Sequence, residues 1–387
     1  MKLTAKTFFG LENVLSNELH NLGVTNIMVA NRAVTFEGNI KTLYKANYCL
    51  RTALSVLMPI KEFRIRTKND LYSIGKSIPW DKFMNYKLTF SITSVVNSPL
   101  FNHSGYAGLT LKDSIADYFR EKTGIRPSVN TDNPDIVINL HISGANVTVS
   151  LDSSGEPLFK RGYRQAFAEA PLNESLAAGM LLMSGWNGSV PFTDPMCGSA
   201  TIPIEAALIA KKIPAGKFRK SFGFQKWNNY DEQLFKQVKQ ECDSHIIDLK
   251  TKISGSDISP EAVKNSMINI RNAELENDIT IETIDFKDIT APDDAGMLML
   301  NPPYGLRLNP DGLDSLYAMI GTKLKHSFEG YTAWILSSNR EALKKIGLKP
   351  SKKYFLLNGA NECLFLKYDL YKGSKKLLHS ISEQNTL

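Results

Sequence analysis

The sequence predicts an α/β protein, an open doubly wound sheet finished by an antiparallel hairpin and preceded by two smaller α+β modules. Three observations carry this. From about Gly155 onward, short apolar runs alternate in order with helical segments, as a parallel sheet covered on both faces requires. The last of these segments, YFLLNGANECLFLKYDL, is two apolar runs turning near Asn358-Gly359, the signature of a hairpin. Over the first sixty residues the order is strand, helix, two strands, helix, which builds a small α+β sandwich, and a second α+β stretch follows up to about Ser154. A chain of 387 residues leads us to expect two or three domains, placed at 1–60, 61–155 and 156–387.

In the first module we read strand KLTAKTFF, helix LENVLSNELHNLG, paired strands NIMVANRAVTFEG and helix KTLYKANYCLRTALSVLM, punctuated by Gly10, Gly23 and Gly38. The second gives helix DLYSIGKSIPWDKF, strand KLTFSITSVV, helix GLTLKDSIADYFREKTG and hairpin DIVINLHISGANVTVSL with its turn at SGAN. The third gives strand VPFTDP, helix TIPIEAALIAKK, strand KISGSD, helix PEAVKNSMINIRNAEL, strands ITIETID and GMLML, helix GLDSLYAMIGTKLKHSF, strand YTAWILSS and helix NREALKKIG.

Apolar residues make up 43% and charged residues 22%, the balance of a soluble globular protein. With no bilayer-length apolar segment and charges too early for a secretory signal, a cytoplasmic location is expected, without a membrane partner. Cys49, Cys197, Cys242 and Cys363 lie far apart in sequence, and the six histidines are scattered, so neither a disulfide scaffold nor a metal site is expected. The formal charge is +7; residues 1–160 hold 18 Lys and Arg against 13 Asp and Glu, the rest 28 against 26. That asymmetry points the N-terminal part toward a polyanion.

Ligands of doubly wound sheets sit beyond the carboxyl ends of the strands, so the strand tips are where chemistry is expected. DPMCGSATIPIE presents Asp194, then a turn through Gly198, Ser199 and Ala200 into a helix. GSDIS presents Asp257. Two carboxylates at consecutive tips suit a ribose diol, although each acid alone is also a common helix cap. At the third tip, IDFKD, Asp285 is placed to accept from an adenine amine and Phe286 to pack on its ring. The turn is neither G-x-G-x-x-G nor a phosphate loop, which disfavours dinucleotides and ATP.

The fourth tip is MLMLNPPYGL. Its prolines stop strand pairing and hold an extended elbow. Two acceptors there, the Asn301 side-chain oxygen and the Pro302 carbonyl, would favour a pyramidal amine whose lone pair faces a methyl donor. Pro303 stiffens the elbow and Tyr304 offers a ring for the base. Cys197 reads as a packed small residue rather than a nucleophile. Two basic stretches are candidates for an RNA groove: Lys211, Lys212, Lys217, Arg219, Lys220 and Lys226 with Phe218, Phe222, Phe224 and Trp227 among them, and Lys61, Arg64, Arg66 and Lys68.

NPPYG, DPMCGSATIPIEAALIA and SLDSSGEPLFKRGYRQAFAEAPLNESLAAGML together resemble the bacterial THUMP-containing methyltransferases related to the large-subunit ribosomal RNA guanine-N2-methyltransferase. The resemblance covers essentially the whole chain. It implies a ferredoxin-like piece, a THUMP RNA-binding domain and a Rossmann-like class I domain that uses S-adenosyl-L-methionine to methylate the N2 amine of a guanine in structured RNA, above all ribosomal RNA. It carries the cofactor motif onto Asp194, Gly198 and Thr201, the ribose acid onto Asp257, the adenine contact onto Asp285, and the catalytic motif onto Asn301, Pro302, Pro303 and Tyr304. Pro171, Leu172 and Asn173 match a segment lying against the methionine end of the cofactor. One departure is Ala200, where glycine is usual; its methyl is expected to narrow the approach to the cofactor. Competing readings are a transfer-RNA guanine-N2 or an adenine-N6 enzyme, and an inactive RNA-binding assembly factor.

Overall fold

The computed structural model describes residues 1–101, 103–166, 171–291, 295–304 and 310–371; residues 167–170, between RGYR and PLNE of the quoted motif, and Gly305 of NPPYG lie outside them. In chain order the elements are β1 (Lys2–Thr7), α1 (Glu12–Asn21), β2 (Thr25–Ala30), β3 (Ala33–Glu37), α2 (Ile40–Cys49), β4 (Ala53–Arg64), α3 (Lys68–Ser77), β5 (Phe90–Asn97), α4 (Ser104–Thr123), β6 (Ile136–Ser143) and β7 (Asn146–Asp152). They continue with α5 (Glu174–Ser184), β8 (Phe192–Asp194), α6 (Thr201–Ala210), α7 (Glu232–Asp243), β9 (Ile253–Asp257), α8 (Pro260–Asn272), β10 (Ile279–Thr283), β11 (Met297–Leu300), α9 (Pro310–Ser327), β12 (Thr332–Ser337), α10 (Arg340–Lys345), β13 (Lys352–Asn358) and β14 (Asn361–Asp369). Among the described residues no helix is long and apolar enough to cross a membrane.

The chain forms two compact units. One comprises Met1–Thr7, Leu15–Lys160 and Arg219–Ser244, the other Phe8–Val14, Arg161–Phe218 and His245–Leu387. The first holds a sheet in the order β2-β3-β1-β4-β7-β6-β5, antiparallel throughout except for the parallel pair β5 and β6. The boundary placed at residue 60 falls inside β4, so both N-terminal modules share one sheet.

The helix expected over Lys41–Met58 is corrected: α2 stops at Cys49, and β4 takes over from Ala53. The Glu18 carboxylate accepts the N–H groups of Arg51 and Thr52 at 2.7 and 3.0 Å, which breaks the helical ladder. Val56 then pairs with Ala5 and Met58 with Leu151.

Ser153 and Ser154 of SLDSSG prove structural. The Asn47 amide donates to Ser153 Oγ at 2.8 Å and accepts from Ser154 Oγ at 2.6 Å, while Ser153 Oγ donates to the Val56 carbonyl at 2.6 Å. This is a buried, satisfied knot joining α2, β4 and the end of β7. Sequence distance also misleads for two cysteines: Cys49, ending α2, and Cys242, in α7, lie 3.2 Å apart as free thiols.

The second unit's sheet runs β10-β9-β8-β11-β12-β14-β13, parallel through β12, with β14 antiparallel to both neighbours. Its strands are apolar on both faces because helices cover both. In β11, Met297 and Met299 pack into one core cluster while Leu298 and Leu300 pack into the other. That double burial is why MLML shows no alternation. The strand order reverses between β8 and β11, and there the carboxyl ends diverge to leave a crevice.

Candidate active site

The crevice is a cleft of about 720 Å³ at the carboxyl ends of β8, β9, β10 and β11. Pro171, Leu172, Asp194, Gly198, Thr201, Asp257, Asp285, Phe286, Asn301, Pro302, Pro303 and Tyr304 all line it. Asn173 does not. Its side-chain oxygen caps α5 instead, accepting from the N–H groups of Ser175 and Leu176 at 2.9 and 3.3 Å.

Asp194, fully buried at the tip of β8, accepts one hydrogen bond among the described residues, from the Met196 N–H at 3.2 Å. Burial pushes its pKa up to about 8, with the Met196 bond opposing and the Asp257 charge adding. The turn then needs a left-handed residue, and Gly198 takes φ +56°; a Cβ there would meet no atom within 4 Å. Gly198 N–H donates to Asp257 Oδ2 at 3.0 Å, and Ser259 N–H to Asp257 Oδ1 at 2.9 Å. Each Asp257 oxygen keeps a lone pair for a diol hydroxyl.

Ala200 also takes a left-handed φ, +62°, yet is fully buried and absent from the cleft wall. The expected narrowing is therefore corrected: its methyl packs beneath the turn, and what it costs is backbone strain. Cys197 is packed as read from the sequence, and burial pushes its thiol pKa up, away from reactivity.

Asp285 caps the short turn after β10, accepting from Lys287 N–H at 3.1 Å; that bond, with the Lys287 ammonium at 3.0 Å, holds its carboxyl below the usual range. The Phe286 ring is corrected. It is 2% exposed and packs against Phe328 at 5.8 Å, so it does not offer an open face to a base. Ile258, 68% exposed on the cleft wall directly after Asp257, offers that apolar face and was missed.

At the NPPY elbow, Asn301 Oδ1 is buried and, among the described residues, has no hydrogen-bond partner. An orphaned acceptor of this kind costs about 1–3 kcal/mol, which a donor from a bound ligand would recover. The Tyr317 hydroxyl of α9 donates to the Pro303 carbonyl at 3.4 Å and accepts from Ser337 Oγ at 2.7 Å. The Asn358 amide donates to the Tyr304 hydroxyl at 2.6 Å.

Two residues that carry the wall were also missed. Arg164 is nearly buried and donates to Glu174 at 2.7 Å, Thr201 Oγ1 at 2.8 Å, and Ser199 Oγ and the Leu172 carbonyl at 3.1 Å. Asn269, fully buried in α8, accepts from Gln165 and Ala166 N–H and donates to the Ala166 and Ser199 carbonyls. Their only signal was a polar residue within RGYR and an asparagine on the buried face of α8. Nearby, Arg161 and Tyr163 of RGYR hold the buried Glu205 of α6 at 3.2 and 3.1 Å.

The basic run 211–226 is not the expected groove. Phe222, Phe224 and Trp227 are core residues, Arg219 donates to the carbonyls of Ser154, Glu156, Pro157 and Lys160, and Lys211 pairs with Asp278 at 2.6 Å. In the other stretch, Lys61, Arg64, Arg66 and Lys68 are all exposed.

A doubly wound sheet whose switch point gathers a left-handed glycine turn, acids at three strand tips and an NPPY elbow is that of an S-adenosylmethionine-dependent class I methyltransferase, and the residues present fit that cofactor. The chain belongs to the family described as RMKL-like, methyltransferase domain, which matches residues 161–367. An RlmL ferredoxin-like domain matches residues 2–57 and a THUMP domain residues 66–152.

The chain is 37% identical to a Synechocystis protein provisionally named an RNA methyltransferase, over 94% of this chain and 95% of that one. It is 37% identical to the ribosomal RNA large subunit methyltransferase K/L of Syntrophotalea carbinolica, covering 93% of this chain and 52% of the relative, so it spans about half the length of the K/L proteins it matches. A solved methyltransferase-type structure, SMU.472, complexed with S-adenosylhomocysteine superposes with a TM-score of 0.86 at 30% identity, over 96% of this chain and 99% of that one.

Proposed function

We propose that the chain transfers a methyl group from S-adenosylmethionine to the exocyclic N2 amine of a guanine in RNA, with large-subunit ribosomal RNA as substrate. The observation that carries this reading is Asn301, which lines the same cleft as Asp194, Asp257 and Asp285 and whose buried Oδ1 has no hydrogen-bond partner among the described residues. The ribosomal RNA substrate draws on the K/L relatives, and the guanine N2 amine on the resemblance carried by NPPYG and DPMCGSATIPIEAALIA. The sequence domains at 1–60 and 61–155 supply affinity for RNA, and the exposed cations Lys61, Arg64, Arg66 and Lys68 make that affinity fall with salt.

When bound, the cofactor supplies an electrophilic methyl on a sulfonium. The protein's own part is placement. Asp257 holds the ribose hydroxyls, Asp285 takes the adenine amine and Ile258 packs on the adenine. Asp194 and the amino end of α6 face the charged amino-acid end. Pro171 and Leu172 close that end, held from behind by Arg164. Asn301 accepts from the target amine, drawing its N–H groups aside so that the nitrogen lone pair stays available. The proton is lost after transfer, so no strong base is required. Pro302 and Pro303 keep the elbow from relaxing into the sheet, and Tyr304 stacks on the flipped base.

Nucleoside mass spectrometry of ribosomal RNA from cells with and without the gene tests this reading. It predicts loss of one N2-methylguanosine; an unchanged ribosomal RNA profile with a changed transfer-RNA profile would redirect the substrate.

A further inference from the structure

We propose that Asn358, at the β13–β14 turn, is a positioning residue for methyl transfer that holds the Tyr304 ring against the target base by hydrogen bonding its phenol oxygen. The inference rests on the reading of NPPY given above. Asn358 lies 54 residues beyond Tyr304 and shares no motif with it, yet its side-chain N–H meets the Tyr304 hydroxyl at 2.6 Å. Both side chains line the cleft, together with Gly359 and Asn361 of the same turn.

The turn is built to reach that point. Asn358 and Asn361 close the hairpin as its last pair, and Gly359 takes φ +63°, which lets the chain reverse sharply. The elbow is thus held twice, at its backbone by Tyr317 on the Pro303 carbonyl and at its ring by Asn358. The Tyr304 hydroxyl also meets the Cys363 thiol, but sulfur is a weak partner, so the amide sets the ring. A stacking ring works only in one plane, and a misplacement of the order of 1 Å at a reacting centre is felt in turnover.

A double-mutant cycle tests this with the full chain, S-adenosylmethionine and a ribosomal RNA fragment. Asn358→Ala and Tyr304→Phe are each expected to lower kcat about tenfold with cofactor affinity unchanged, and the double variant to be no worse than either alone. Asn358→Asp, which keeps a turn-forming residue and can accept the Tyr304 proton, should restore activity in the Tyr304 background and change nothing in the Tyr304→Phe background. Multiplicative losses in the double variant, or weaker cofactor binding in Asn358→Asp, would overturn the positioning role while leaving the site's function standing. A wild-type chain that labels no ribosomal RNA would instead overturn the reading of the site, and this role with it.

Discussion

Gly198 N–H donates to Asp257 Oδ2 over 3.0 Å, so the turn after β8 and the tip of β9 form one hydrogen-bonded unit. Removing that carboxylate does two things: it strips the ribose of its acceptor and leaves the turn amide unpaired. Asp257→Ala should therefore weaken S-adenosylmethionine binding by about 2–4 kcal/mol, with a smaller loss of turnover at saturation. Isothermal titration measures the first and saturation kinetics the second. Full affinity with lost turnover would move Asp257 out of the cofactor site.

Asp194 makes stability depend on pH with a definite sign. Its pKa is raised to about 8, so between the ordinary carboxylate range and pH 8 the folded protein keeps a proton that the unfolded chain has released. This group's contribution is fully present at low pH and is lost as pH rises through about 8. Asp194→Asn should raise the melting temperature at pH 9 relative to wild type and weaken binding of the cationic cofactor. Thermal scans from pH 6 to pH 9 decide it; parallel wild-type and variant profiles would contradict it.

Arg164 ties Glu174, Ser199, Thr201 and the Leu172 carbonyl together, a set of donors in one plane that lysine cannot reproduce. Arg164→Lys should cost at least about tenfold in cofactor affinity, while Arg164→Ala, which leaves Glu174 buried and unpaired, should also cost about 3–5 kcal/mol of stability. Calorimetric titration and denaturant melts separate the two effects.

Cys49 and Cys242, 3.2 Å apart, should close into a disulfide under a small-molecule disulfide oxidant. The bond from Cys49 lowers the Cys242 pKa, which makes Cys242 the attacking thiolate; Cys49 then displaces the mixed disulfide. Intact mass should fall by two hydrogen atoms in wild type, and Cys49→Ser should stop at the mixed adduct. A wild-type mass unchanged after oxidant would contradict the geometry.

The sheet was legible because its strands are short apolar runs ended by Asp, Pro or Gly, and doubly wound topology then dictates which ends share a crevice. Asp194, Asp257, Asp285 and Asn301 could be named for that reason. Arg164, Asn269 and Asn358 could not, because each acts through a partner fixed only by tertiary packing. Helix and strand were confused over 53–58 because LSVLM fits either period, and the acid that decides it, Glu18, lies on another element. Phe222, Phe224 and Trp227 were misread because aromatics between cations look alike whether they face solvent or the core.

The central claim concerns Asn301 and one nitrogen. Ribosomal RNA lacking its native modifications is incubated with methyl-labelled S-adenosylmethionine and digested to nucleosides. Wild type should place the label in N2-methylguanosine, and Asn301→Ala should lose about 10²–10³-fold in rate while binding the cofactor normally. Label recovered in N6-methyladenosine, or undiminished in Asn301→Ala, would contradict the account.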